Sequence, residues 1–147
     1  MDDIDQLMAL RKQGFFCAQI LMIMGLELQG KSNPELVRAM NALAGGIGFT
    51  GELCGALTGG ACLLGVYAGK GTPDEEDDPR LMFMLEDLVK WFKSEYGQAF
   101  GGIRCAEILG DDARNMGARC PDMMLGTLHR IKELLVENGF DLAGEEL

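Results

Sequence analysis

Apolar residues recur at helical spacing along most of the chain, and glycine or proline marks each break in the pattern. Ile4, Leu7, Met8 and Arg11 share one face of a first helix over 3–13, with acids at its front. Gly14 breaks it. Residues 15–28 form a second helix, apolar on most faces through Phe16, Ile20, Ile23 and Met24, and so predicted to be core. Asn33-Pro34 is a cap followed by proline at the first helical position, opening a third helix over 34–44. Asp78-Pro79 repeats that signal. The helix that follows buries Leu81, Leu85, Leu88 and Phe92, turns Asp87, Lys90 and Ser94 to water, and ends near Tyr96-Gly97. A short helix is predicted over 105–109. Cys120-Pro121 opens the last one, whose stripe is Met124, Leu128, Ile131 and Leu135, and Asn138-Gly139 stops it. No convincing strand pattern and no internal repeat occurs. The expectation is one all-α domain over residues 1–147, a bundle of five to six helices.

The bundle is expected to form around the stretch 44–71, AGGIGFTGELCGALTGGACLLGVYAGKG, which holds ten glycines and two of the five cysteines. Between Ala39 and Gly69 the only charged residue is Glu52. A helix over 51–68 is predicted. Gly51, Gly55 and Gly59 would lie on one face of it, and Gly65 and Gly69 repeat the spacing. Glycine faces let another backbone approach closely. Gly46-Ile47-Gly48-Phe49-Thr50-Gly51 matches the GxGxxG pattern of dinucleotide folds. That motif works between a strand and a helix, and here a helix precedes it, so it is set aside.

Charge and composition narrow the function classes. A length of 147 residues suffices for one buried core. Thirteen basic residues against 23 acidic ones give a net charge of −10, which disfavours nucleic-acid binding. The start, Met1-Asp2-Asp3-Ile4-Asp5, lacks the basic region of an export signal, and the charge-free run 53–69 is short of a membrane span. The expectation is a soluble cytoplasmic protein. The acidic loop Gly71–Asp78 lacks calcium-loop spacing and reads as solvated. The nearly all-apolar second helix suggests a symmetric homodimer that would cover its remaining surface.

Chemistry is expected at the cysteines. In a reducing compartment, widely spaced cysteines are more often ligands or redox groups than structural bridges. Each of the five has glycine three residues earlier: Gly14 before Cys17, Gly51 before Cys54, Gly59 before Cys62, Gly102 before Cys105 and Gly117 before Cys120. Glycine often closes one element just before a helix begins. Cys17, Cys54, Cys105 and Cys120 are therefore expected in first turns, with Cys120 as an N-cap and Cys62 mid-helix. A first-turn thiol faces unpaired amides and the positive end of the helix dipole, which favour thiolate. Arg104 and Arg119, directly before Cys105 and Cys120, would act in the same direction. No CxxC pair, zinc knuckle or CxxCH haem motif is present, and the lone His129 sits among charged neighbours as a surface residue. Two chemistries remain: thiolate ligation of an iron–sulfur cluster, and thiol–disulfide exchange between thiols that folding brings together. Inert, buried cysteines in a structural or interaction module are the bland alternative.

At these residues the chain resembles the redox-active protein family named for its C-GCAxxG-C-C pattern. Cys17 in the setting GFFCAQ matches the first cysteine. Cys54-Gly55-Ala56-Leu57-Thr58-Gly59 matches the central motif, written here Cys-Gly-Ala. Cys105 and Cys120 match the last two, and the resemblance spans about residues 5–135. Cys62 inherits no role. A similar domain occurs in split-Soret cytochromes, dimeric proteins where it accompanies an iron–sulfur centre; their haem-binding portion has no counterpart here. The resemblance implies that Cys17, Cys54, Cys105 and Cys120 converge to bind an iron–sulfur cluster, expected to be of the [2Fe–2S] type, for electron transfer with a redox partner protein.

Overall fold

The computed structural model describes residues 2–144. Its helices are α1 (Asp3–Lys12), α2 (Cys17–Leu28), α3 (Pro34–Met40), α4 (Gly55–Ala68), α5 (Arg80–Phe92), α6 (Gln98–Phe100), α7 (Cys105–Leu109) and α8 (Asn115–Glu137). A 3₁₀ turn, Asn41–Leu43, extends α3, and a π turn, Lys93–Gly97, joins α5 to α6. The described residues thus carry more helical segments than the five to six expected. Their only extended pairing is an isolated antiparallel bridge between Leu53 and Arg104.

Local chemistry explains the starts. The Asp2 carboxylate accepts the Asp5 N–H at 2.9 Å, and the Asn33 side-chain oxygen accepts the Leu36 N–H at 3.1 Å, with Pro34 at the first helical position. Asp78 accepts the Arg80 N–H at 3.0 Å and also chelates the Arg80 guanidinium. The guanidinium in turn stacks 3.9 Å from the centre of the Phe140 ring.

α4 packs against α2, α5 and α8, and α1 lies on α8 and α2. The closest of these approaches is made by glycine. A Cβ at Gly59 would stand 2.6 Å from the Ala18 Cα of α2, and one at Gly55 would stand 3.3 Å from the Leu43 carbonyl and 3.4 Å from the Cys17 Cβ. α2 therefore rests directly on the α4 backbone beside Cys17. Gly65 has no atom within 4 Å of a would-be Cβ, so its spacing marks no second contact face. The stripe expected on α8 is buried throughout, and on α5 Met84, Leu88 and Phe92 are buried with Leu81 and Leu85 half-buried.

Four expectations need correction. α4 begins at Gly55 rather than Gly51, because the chain turns at Gly51 (φ 83°) and Leu53 pairs with Arg104 in the isolated bridge. α8 begins at Asn115, five residues before Cys120, and holds Pro121 inside it. Phe16 and Met8 are exposed, while Leu10 takes the buried place on α1. Finally, the apolar residues of α2 are covered by the chain itself: Ala18, Ile20, Leu21, Met22, Met24, Gly25 and Leu26 are all buried.

The GxGxxG residues form an unusual loop instead of a strand-to-helix turn. Gly45, Gly46, Ile47, Gly48 and Phe49 all have φ between 60° and 73°. Thr50 ties the loop with a hydroxyl that donates to the carbonyls of Gly46 and Ile47. Ile47 and Phe49 are in a region that side-chain-bearing residues avoid, at a cost on the order of 1 kcal/mol or more each. The strain holds both side chains outward, 53% and 55% exposed, with Phe49 edge-on to Phe16 at 5.2 Å.

Candidate functional site

Gly14, Gly51 and Gly102 have positive φ (95°, 83° and 156°), and each ends a segment three residues before a cysteine. The chain turns at each glycine and enters a helix at or next to the thiol. Cys17 is the first residue of α2, Cys54 the residue just before α4, and Cys105 the first residue of α7. Gly59 and Gly117 lie inside helices, and so do Cys62 and Cys120. The glycine pattern thus marks a helix start at three of its five occurrences.

Backbone pairing fixes two of the cysteines to each other. The Cys54 N–H donates to the Ile103 carbonyl at 3.0 Å, and the Cys105 N–H donates to the Glu52 carbonyl at 2.7 Å. Ala106 adds a bond to the Gly51 carbonyl at 3.2 Å. On the outside of this staple Arg104 meets the Glu52 carboxylate at 3.2 Å. Cys17 is held by Gln19, whose buried amide accepts the Phe16 N–H at 3.1 Å and donates to the Val37 carbonyl at 3.3 Å.

The four thiols form one electrostatic neighbourhood. Cys17 and Cys120 line the same small cavity, about 130 Å³, together with Arg11, Met116 and Met124. The Cys17 thiol is held well above the ordinary thiol range, first by its hydrogen bond to Cys120, then by burial and by the charges that Cys120, Cys54 and Cys105 would carry. Cys120 moves the other way. Its thiolate accepts the Cys17 hydrogen bond and faces the Arg11 guanidinium, and together these outweigh burial. Cys105 is raised by burial and by Cys120.

Cys54 shows why the helix-start argument falls short. The Ala56 and Leu57 amides do favour its thiolate, as expected of a cap, yet burial outweighs them and pushes the thiol up to about 11. The amide effect is real, and desolvation is larger. An unfolded thiol ionises near 8.5. The stability this group contributes is therefore complete below that pH and is lost as pH rises toward about 11. Urea midpoints measured across this range should fall, and Cys54→Ala should flatten the fall.

The flanking arginines do not serve as expected. Arg104 pairs with Glu52, and Arg119 donates to the Ile108 carbonyl and stacks 4.4 Å from the Phe100 ring centre. The cation beside the thiols is Arg11, on α1. Its signal was present in the sequence: a charge on the apolar face of the first helix. Cys62 is half-buried on α4, its thiol raised by burial alone. His129 is exposed and meets Asp3 at 3.4 Å, where Lys132 also pairs at 2.9 Å.

Four thiols are suitable donors for an iron–sulfur group. Their spacing is not that of a coordination shell, since among the described residues no three Cys, His, Asp or Glu side chains gather closely enough to hold a metal ion. Among the same residues no helix is long and apolar enough to cross a membrane.

The fold is helical, with Cys17, Cys54 and Cys105 at helix starts and Cys120 inside α8, the cysteine pattern of a redox-active protein family. The chain belongs to that family: residues 15–134 match the family described as putative redox-active protein (C_GCAxxG_C_C). Comparison with curated proteins and with solved structures gave no match.

Proposed function

We propose that the protein exchanges electrons with a redox partner protein through its cysteines, and that Cys17 and Cys120 are the working pair. The observation behind this reading is their direct juxtaposition in one cavity with Arg11. Cys120, favoured as thiolate, attacks one sulfur of a partner disulfide and releases a partner thiolate. Cys17 then gives up its proton and attacks the Cys120 sulfur of the mixed disulfide, releasing the second partner thiolate. A Cys17–Cys120 bond forms and the partner bond breaks; two electrons and the Cys17 proton pass to the partner, whose other thiolate takes its proton from solvent, where Cys120 had released one. Cys54 and Cys105, outside that cavity, are held as thiols by burial and take no part in the exchange. Exposed Phe16 and Phe49, edge-on to each other and with Phe16 next to Cys17 in sequence, offer apolar surface for that partner.

A second reading, electron transfer by an iron–sulfur cluster bound to Cys17, Cys54, Cys105 and Cys120, is favoured by the mutual electrostatic influence of all four thiols. Such a group would supply one-electron chemistry when bound. It requires the four to draw closer than they stand.

Equilibration in glutathione buffers, followed by thiol trapping and peptide mapping, tests the first reading. One two-electron couple linking the Cys17 and Cys120 peptides is expected. Absence of that linkage at any ratio overturns it. Iron and acid-labile sulfide in anaerobically purified protein, at about two of each per chain, would support the cluster instead.

A further inference from the structure

The Cys17–Cys120 cavity contains two more sulfur residues that thiol exchange does not use. Met116, Cys120 and Met124 are spaced four residues apart on α8, so they stack along one helix face. All three line the cavity, and Cys17 lines it from α2. The rest of the lining is Gly14, Phe15, Phe16, Ile20 and Arg11, with no carboxylate and no imidazole.

We propose that this cavity is a binding site for a soft monovalent metal ion of the copper(I) type, with Cys17 and Cys120 as thiolate ligands and Met116 and Met124 as thioether donors. The donor set decides the metal. Soft thiolate and thioether ligands suit copper(I), and two neutral thioethers beside two thiolates match a monovalent ion. Zinc takes thiolate, imidazole and carboxylate in a four-coordinate shell, and calcium and magnesium take oxygen. The cavity, about 130 Å³, has room for a bare ion, and two of its sulfur residues are buried: Met124 is 1% and Cys120 8% exposed. Binding displaces one proton from each thiol and leaves two thiolates around one positive ion, a net charge of −1. Arg11 is the cation on the cavity wall that offsets it.

This site uses the same two cysteines as the redox reading but changes no oxidation state. The experiment is anaerobic titration of the reduced protein with copper(I) against the chromophoric chelator bicinchoninate. One ion per chain should be withheld from the chelator. Met116→Leu, at a half-buried position, should weaken retention at least about tenfold with the circular dichroism unchanged. Cys62→Ser should retain wild-type affinity, and zinc(II) should not compete. Failure to withhold copper, or equal retention in Cys17→Ser, overturns the proposal, as does equal loss in Cys62→Ser. A protein that withholds copper but never forms the Cys17–Cys120 disulfide would keep this site and sink the redox reading; the opposite result would do the reverse.

Discussion

Replacing Gly59 with alanine should destabilise the protein, although alanine is the better helix former. Propensity alone would gain up to about 1 kcal/mol. Against this, the new Cβ would stand 2.6 Å from the Ala18 Cα and 3.1 Å from the Ala18 carbonyl oxygen, and backbone atoms cannot rotate away. α2 must shift as a body, and overpacking of this kind costs about 1–3 kcal/mol. Ala18 adjoins Cys17, so the shift also moves Cys17 relative to Cys120. A lower urea midpoint together with weaker disulfide formation is therefore expected. Gly65→Ala, on the same helix with no atom within 4 Å, is the control and should be neutral or stabilising. A Gly59→Ala protein as stable as wild type would show that α2 does not rest on this backbone.

The second large effect is on the thiols. Cys120→Ser should eliminate the intramolecular two-electron couple completely, whereas Cys62→Ser should leave it intact. The variant also carries a signature that simple loss of one sulfur would not predict. The hydrogen bond to Cys120 is the largest cause of the raised Cys17 thiol, followed by burial and the neighbouring charges. Without Cys120, Cys17 should ionise at lower pH than before, and its alkylation profile should shift in that direction. An unchanged Cys17 profile would mean that the two thiols do not interact in solution.

Helix positions were legible in the sequence wherever a cap had a side chain to announce it. Asn33-Pro34 and Asp78 are examples, since their hydrogen bonds are local. Cys120-Pro121 misled because the same dipeptide logic fails when a helix has already begun. α8 starts at Asn115 and accepts Pro121 at the sacrifice of the bond that an N–H there would make to Gly117. The glycine three residues ahead announced the helix starts at Cys17, Cys54 and Cys105, but not the ionisation of the thiols. Helix-start amides are a local property, while burial is set by the packing of α2, α4 and α8, and burial decides the outcome at Cys54. Arg11 was overlooked as a partner for a similar reason. Its neighbour Cys120 is 109 positions away, and only the packing of α1 on α8 brings them together.

The Leu53–Arg104 bridge gives the site two mechanically different halves. Cys54 and Cys105 are joined through main-chain bonds on both sides of the bridge, so neither can be displaced without carrying the other. Cys17 and Cys120 belong to separate helices and meet only through side chains. A small slide of α2 along α8 would open or close that second pair like a jaw, while the first pair stays clamped as the fixed reference.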